Sequence, residues 1–139
     1  MTPTQIDLIQ ASFAKVAPHA ETAASMFYGR LFEIAPAVKP LFKGDMKEQG
    51  RKLMGTLAVV VGSLNNLEAI VPVAKSLALK HVGYGVKAGD YQPVGAALIW
   101  TLQEALGESF SDDTRDAWVA AYTILSKVMI DEAYGTGAA

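Results

Sequence analysis

The sequence predicts a single all-α domain, and two observations support this prediction. Apolar residues recur at spacings of three and four almost throughout the 139 residues, as they do on the buried face of a helix. Prolines, glycines and capping residues interrupt this pattern where helices should begin and end, and no stretch alternates apolar and polar residues as a strand does. We therefore expect about seven helices in one domain over residues 1–139, with a core from 4 to 133 and a frayed tail at 134–139.

The first half of the chain predicts three helices. Thr4 is a candidate N-cap for the first helix, which should end at Pro18. Ala35 closes the second, because a residue before proline resists the helical conformation. Residues 36–42 then form a tight apolar corner, and the third helix follows it and ends before Asn65-Asn66. The apolar residues that these helices should bury are Ile6, Ile9, Phe13 and Val16; Ala23, Met26, Phe27, Leu31 and Ile34; and Leu53, Leu57, Val60 and Val61.

The second half predicts further helices with clear boundaries. Residues 67–80 form one or two shorter helices, with Pro72 in a first turn, and three glycines then mark a corner. Pro93 opens the next helix, and Gly107 is suited to cap its C-terminus. Ser111, followed by two aspartates, begins the last helix, because the serine can cap it and the acids favour the positive end of its dipole.

Composition and charge exclude several classes of function. The net charge is −2 and the basic residues are scattered, so we expect no nucleic-acid or membrane partner. The longest apolar segment, residues 57–64, is too short to cross a bilayer, and the N-terminus lacks the pattern of a secretory signal. We expect a cytoplasmic monomer or homodimer. The absence of cysteine excludes thiolate ligands, iron–sulfur clusters and covalently attached haem, so any cofactor should be held non-covalently.

His81 is the histidine best placed for chemistry, because it lies late in an apolar helical stretch. A neutral imidazole is a good axial ligand for haem iron. Taken alone, however, such a residue is more often a core or surface histidine without a ligand role. His19 follows a proline at a helix entrance and is expected to be a solvated capping residue.

The residues opposite His81 suggest a pocket for a polar ligand. Gln49 and Leu53 are four residues apart and therefore share one helix face, while Tyr28 lies in an otherwise apolar segment. A tyrosine hydroxyl and a glutamine amide could each donate a hydrogen bond to a polarised dioxygen, contributing about 1.5–3 kcal/mol. Phe42 could clamp the flat face of a macrocycle, and Gly29 would let another helix cross closely. The alternatives are that Tyr28 is only a buried aromatic residue and that Gln49 is exposed.

Seven short segments, in this order, resemble the globin family. The resemblance covers residues 4–132 and is closest to bacterial single-domain haemoglobins and to the globin domain of flavohaemoglobins. It implies an all-α, three-over-three globin fold, with about seven helices around a non-covalent haem b. The segments are Phe27-Tyr-Gly-Arg-Leu-Phe32, Lys39-Pro-Leu-Phe42, Asn66-Leu-Glu68, Lys80-His81, Asp90-Tyr-Gln-Pro-Val-Gly95, Leu102-Gln-Glu-Ala-Leu-Gly107 and Ala117-Trp-Val-Ala-Ala-Tyr122.

The resemblance also implies the residues of a haem pocket. His81 would be the proximal ligand and the metal-binding residue, and Phe42 would wedge the haem. Tyr28 and Gln49 would be the polar distal residues. The other residues expected to bind the cofactor are Leu41, Leu53, Lys80, Val86, Tyr91, Val94, Leu98 and Tyr122.

Two departures from flavohaemoglobins bear on the function. The glutamate of their proximal network falls on Ala133, and Glu132 is one residue away, about 100° around a helix. Their flavin- and nicotinamide-binding domains have no counterpart in the 139 residues. We therefore expect a carrier that binds dioxygen reversibly, with carbon monoxide and nitric oxide as further ligands. The alternatives are a nitric oxide dioxygenase that uses a separate reductase, a haem-based gas sensor, and a globin-like protein without haem.

Overall fold

The computed structural model describes residues 2–42, 44–83 and 88–134, without the side chains of residues 67, 79–83, 88 and 132–134. Within these ranges the regular structure consists of six α-helices and four 3-10 segments, and no strand is present. The α-helices are α1 (Pro3–Val16), α2 (Ala20–Ile34), α3 (Met46–Gly62), α4 (Leu67–Gly83), α5 (Tyr91–Leu106) and α6 (Asp112–Tyr134). The 3-10 segments are Ala17–His19, Pro36–Leu41, Ala88–Asp90 and Gly107–Ser109. The all-α prediction is confirmed.

The N-cap of α1 differs from the prediction, because Thr2 occupies that position and Thr4 lies inside the helix. The Thr2 hydroxyl accepts a hydrogen bond from the backbone N–H of Gln5 at 3.1 Å, and the Gln5 side chain accepts one from the backbone N–H of Thr2 at 3.0 Å. Pro3 stands at the first helical position, where a missing N–H leaves no bond unmade. This reciprocal cap satisfies two backbone donors at once, which Thr4 alone would not do.

Pro72 and Pro93 lie at helical positions that differ from the predicted ones. Residues 67–83 form one helix of 17 residues, and Pro72 lies inside it, beyond the first turn. Burial of Ile70, Ala74 and Ala78 offsets the backbone hydrogen bond that the proline removes. Pro93 does not open α5, which begins at Tyr91; it lies in the first turn, where the N–H groups have no partner within the helix.

The predicted boundaries at the end of α5 and the start of α6 are confirmed. Gly107 is the C-cap of α5, and its φ of 54° is a backbone conformation that side chains with a Cβ rarely adopt. The Ser111 hydroxyl accepts a hydrogen bond from the backbone N–H of Thr114 at 3.2 Å. Asp112 and Asp113 then occupy the first turn of α6.

The main core lies between α1, α2, α3, α5 and α6, and Ile9 and Leu31 are its largest fully buried side chains. The Trp118 indole N–H donates to the Ser12 hydroxyl at 2.8 Å and thereby joins α6 to α1 inside the core. Ile34 was expected to be buried, but it lies at the C-terminal end of α2 and is 39% exposed. Among the described residues, no helix combines the length and the apolar character needed to span a membrane.

The helices α3 and α4 leave a common corner and pack on different neighbours. A short turn joins them, and Val60, Leu64, Ile70 and Ala74 line one apolar cavity of about 60 Å³ beside that turn. Beyond it, α3 packs against α2 and α1, whereas α4 packs against α6. The two helices therefore diverge from the turn, and the start of α3 and the end of α4 lie at their far ends.

The helices pack closely at Gly50 and Gly95 and not at Gly29, where a close crossing was expected. A Cβ added at Gly29 would meet none of the described atoms within 4 Å, so the prediction of a close helix crossing there is wrong. A Cβ at Gly50 would lie 2.9 Å from the Cβ of Ala24, where α3 meets α2. A Cβ at Gly95 would lie 2.6 Å from Cε2 of Tyr122, where α5 meets α6. Among the described glycines, Gly50 and Gly95 are therefore the ones whose close packing leaves no space for a Cβ.

Candidate functional site

Tyr28 lies in the middle of α2 and is 7% exposed. Its ring has three phenylalanine neighbours: Phe27 at 5.1 Å and Phe42 at 5.2 Å, both edge-to-face, and Phe32 at 6.1 Å in a stacked arrangement. Burial raises the pKa of Tyr28 to about 12. The hydroxyl therefore stays protonated at neutral pH and can act as a hydrogen-bond donor in an apolar environment.

The structure brings Tyr28 and Gln49 together. Gln49 lies in the first turn of α3, where the side chain of Asp45 caps the helix by accepting from the backbone N–H of Lys47 at 2.9 Å. The Tyr28 hydroxyl donates to the backbone carbonyl of Gln49 at 3.2 Å. The contact is thus between a side chain on α2 and the backbone of α3, and the Gln49 side chain is half-buried beside it.

Phe42 follows the 3-10 segment that forms the predicted apolar corner. Its backbone N–H donates to the carbonyl of Lys39 at 3.1 Å, which closes the segment, and its own backbone is extended. The Phe42 ring lies 5.4 Å from the Phe32 ring, edge-to-face. Phe42 and Leu41 are both half-buried and pack on the main core, so the corner presents two large apolar side chains.

Three predicted pocket residues lie on α3 and α5. Leu53 and Leu98 line a narrow apolar cavity of about 20 Å³, together with Phe27 and other core residues. Val94 lies one turn before Leu98 and is half-buried against the core. Leu53 and Leu98 are thus close to each other and to the aromatic residues around Tyr28.

The two other predicted tyrosines meet where α5 packs against α6. The Tyr122 hydroxyl donates to the backbone carbonyl of Tyr91 at 2.6 Å. Tyr91 is 7% exposed and belongs to a second buried cluster with Ala74, Ala78 and Met129. This cluster joins α5 and α6 to the face of α4 that carries the two alanines.

His81 and Lys80 lie in the last turn of α4, and their side chains are outside the described part of the structure. Val86 also falls outside the described residues. Residues 74, 78 and 81 are separated by four and three positions along α4, so they share one helix face. Position 81 therefore lies on the face of α4 that packs toward Tyr91 through Ala74 and Ala78.

Sequence reasoning missed two residues of this region. Phe32 lies four residues after Tyr28, so the helical spacing indicates that the two side chains share one side of α2. In the structure the Phe32 ring contacts the rings of Tyr28 and Phe42. Gly95 gave no such signal. Its role depends on the Tyr122 ring, which is distant in sequence and close only in the folded chain.

The site can be compared with known proteins. A family model described as Globin matches residues 25–129. The chain belongs to the globin family. A flavohemoprotein of Halalkalibacterium halodurans is 32% identical to this globin over 126 residues, which cover 88% of the chain and 31% of that protein. A flavohemoprotein of Bordetella parapertussis is 30% identical over 133 residues, covering 94% of the chain and 33% of that protein. The chain spans about a third of the length of these curated relatives.

Solved structures support the same assignment. A bacterial globin from Campylobacter jejuni superposes on this globin with a TM-score of 0.83 and 29% identity, covering 95% of this chain and 96% of the other. An engineered carbene transferase, described as a proposed nitric oxide dioxygenase from Rhodothermus marinus, has a TM-score of 0.86 and 25% identity, with coverage of 96% and 93%. The expected three-over-three globin fold is therefore confirmed.

Proposed function

We propose that this globin holds haem b non-covalently and binds dioxygen reversibly, for storage or delivery. The observation that carries the proposal is the Tyr28 hydroxyl, which is buried among aromatic rings, protonated, and adjacent to the first turn of α3. Membership of the globin family supports the haem, and the absence of cysteine requires that it be held without thioether bonds.

The residues present fit a flat, largely apolar cofactor. Leu41, Phe42, Leu53 and Val94 are half-buried although each packs against the main core, so an apolar ring would cover surface that the chain itself leaves partly exposed. We propose that these four residues hold the haem, together with Leu98 and Tyr122, and that Lys80, Val86 and Tyr91 complete the site. His81 is the proposed ligand of the iron.

A haem held here would supply an iron that accepts one small gas molecule, such as dioxygen, carbon monoxide or nitric oxide. Tyr28 would donate a hydrogen bond to a polarised ligand, in exchange for the 3.2 Å hydrogen bond to the Gln49 carbonyl. Such a bond to a polarised acceptor in an apolar site contributes about 1.5–3 kcal/mol. The phenylalanine rings around Tyr28 keep water from competing for that hydroxyl.

The first experiment is the visible spectrum of the purified ferrous protein, deoxygenated and then exposed to air, beside the His81→Ala variant. We expect an intense haem band that shifts reversibly on oxygenation, and a disrupted spectrum in the variant, because the imidazole ligand is lost. A protein that stays colourless after incubation with haem would refute the proposal. A normal spectrum in His81→Ala would remove His81 as the ligand.

The role of Tyr28 is tested by the Tyr28→Phe variant, which keeps the ring and removes the donor. We expect dioxygen to dissociate about tenfold faster, because one hydrogen bond to a polarised ligand is lost. Stopped-flow kinetics measure this rate, and carbon monoxide, which is less polarised, should show a smaller change. Because Gln49 could replace the missing donor, the Tyr28→Phe/Gln49→Leu double variant completes the test. Unchanged dissociation in the double variant would contradict a donor role for either residue.

Nitric oxide dioxygenation is the second candidate function. It is favoured by the likeness to the Rhodothermus marinus protein and by the flavohemoprotein relatives. Repeated turnover needs an electron donor, and we propose a reductase for this role. Consumption of nitric oxide with stoichiometric formation of nitrate, sustained only when a reductase and its reductant are added, would support this activity. A single turnover under the same conditions would favour the carrier.

A further inference from the structure

The Tyr122 hydroxyl contacts the first turn of α5. It donates a hydrogen bond to the backbone carbonyl of Tyr91 at 2.6 Å. Burial is the main reason that the pKa of Tyr122 lies far above its ordinary value, followed by the electrostatic effect of Tyr91. The hydroxyl therefore stays protonated and keeps its donor role over the whole neutral range.

The ring of Tyr122 adds a steric contact to this hydrogen bond. It lies so close to Gly95 that an added Cβ would be 2.6 Å from Cε2 and 2.9 Å from Cδ2. Because the tip of the ring is tied to the Tyr91 carbonyl, the ring cannot swing away to admit a larger residue. Tyr122 thus holds the first turn of α5 both by its hydroxyl and by its ring face.

The same turn of α5 carries Tyr91 toward α4. The Tyr91 side chain is buried in the cluster that includes Ala74 and Ala78 of α4. By helical spacing, position 81 shares the face of those two alanines. Any displacement of the first turn of α5 therefore displaces Tyr91 relative to the face of α4 that bears His81.

We propose that Tyr122 is a positioning residue, which sets Tyr91 against the His81 face of α4 by fixing the first turn of α5, and that Gly95 is the residue that makes room for it. The proposal rests on the proposed function, in which His81 binds haem iron. The Tyr122 hydroxyl would act on the iron ligand through Tyr91, so its effect on the iron–histidine bond should vanish when the Tyr91 hydroxyl is absent.

The Tyr122→Phe variant tests the positioning role in the haem-bound protein, because it keeps the ring and removes only the hydroxyl. Resonance Raman spectroscopy of the deoxygenated ferrous protein measures the iron–histidine stretching frequency. We expect a lower and broader band in Tyr122→Phe, a shift in the same direction in Tyr91→Phe, and no further shift in the double variant. Additive shifts, or an unchanged band in Tyr122→Phe, would overturn the proposal.

A second measurement does not depend on haem. Amide hydrogen exchange of the haem-free protein should be about fivefold to tenfold faster at the first turn of α5 in Tyr122→Phe, because the short hydrogen bond to the Tyr91 carbonyl is lost. The matched control is Thr123→Val, which removes a neighbouring hydroxyl that bonds only within α6, to Val119 at 2.7 Å. Unchanged exchange in Tyr122→Phe would refute the claim that the Tyr122 hydroxyl fixes the first turn of α5. If wild-type protein binds no haem while the exchange is still faster in Tyr122→Phe, the proposed function fails, but the role of Tyr122 in fixing this turn is supported.

Discussion

Tyr28, which is buried, and Tyr122, which is half-buried, make the same kind of hydrogen bond in two regions of this globin. Tyr28 on α2 donates to the Gln49 carbonyl in the first turn of α3, and Tyr122 on α6 donates to the Tyr91 carbonyl in the first turn of α5. Each bond lies beside a glycine that cannot accept a Cβ, Gly50 in one case and Gly95 in the other. The two regions differ in how firmly the hydroxyl is held.

The Tyr28 bond is 3.2 Å long, which is longer than usual for a hydroxyl donor and an oxygen acceptor, whereas the Tyr122 bond is 2.6 Å long. Gly50 is crowded by the Ala24 methyl group, whereas Gly95 is crowded by the ring of Tyr122 itself. A weakly held donor can change its partner when a ligand enters, and a firmly held one cannot. This difference supports the two proposed roles, ligand binding for Tyr28 and positioning for Tyr122.

The largest expected effect comes from adding a methyl group at the two glycines. Gly95→Ala should lower the free energy of unfolding by about 2–3 kcal/mol, because the Tyr122 ring is tied at its tip and cannot move. Gly50→Ala should cost about 1–2 kcal/mol, because it requires a small shift between α3 and α2. Urea unfolding of the haem-free variants measures both values.

Gly55→Ala is the matched control for these substitutions. Gly55 lies in the middle of α3, and a Cβ there would meet none of the described atoms within 4 Å. This change should raise the free energy of unfolding by about 0.5–1 kcal/mol, since alanine has the higher helix propensity. Equal costs at positions 50 and 95, or a loss at position 55, would contradict the packing described for the two regions.

A smaller difference is expected when each tyrosine loses its hydroxyl. Tyr122→Phe should lower the free energy of unfolding by about 1–2 kcal/mol, because a short hydrogen bond is removed. Tyr28→Phe should cost only about 0.5–1 kcal/mol, because its hydrogen bond is longer. The same urea titrations measure both values. A larger loss of stability in Tyr28→Phe than in Tyr122→Phe would contradict the claim that the Tyr122 hydroxyl is held more firmly.

The smallest effect is expected in the alkaline range. Burial raises the pKa of Tyr28 from 10.0 to about 12 and raises that of Tyr122 further. The unfolded chain therefore loses these protons first, so the stabilisation is complete below about pH 10 and declines as the pH rises above it. Each of the variants Tyr122→Phe and Tyr28→Phe should therefore lose stability less steeply than the unchanged protein, measured by unfolding between about pH 9 and about pH 11. A variant that loses stability as steeply as the unchanged protein would show that the hydroxyl it lacks is not shielded by burial.

Ser111, Gly107, Thr4 and Pro72 show which features of the helices can be predicted from the sequence. Ser111 and Gly107 were identified correctly as helix boundaries, because a capping hydroxyl and a left-handed glycine act within a few residues of themselves. The prediction of Thr4 as the cap is wrong, because Thr2 and Gln5 form a reciprocal pair that satisfies two backbone donors. Pro72 lies beyond the first turn of α4, because packing of that helix on α6 offsets the local cost of the proline.

The sequence by itself determined the all-α class, most helix boundaries and the set of residues proposed for the pocket, since helical periodicity and motif order are local properties of the chain. Only the tertiary structure decided that Tyr28 meets the backbone of Gln49, that Tyr122 ties down the first turn of α5, and that Gly50 and Gly95, but not Gly29, allow close contact. These contacts join residues distant along the chain. Their distances depend on how whole helices pack, and no local pattern encodes that packing.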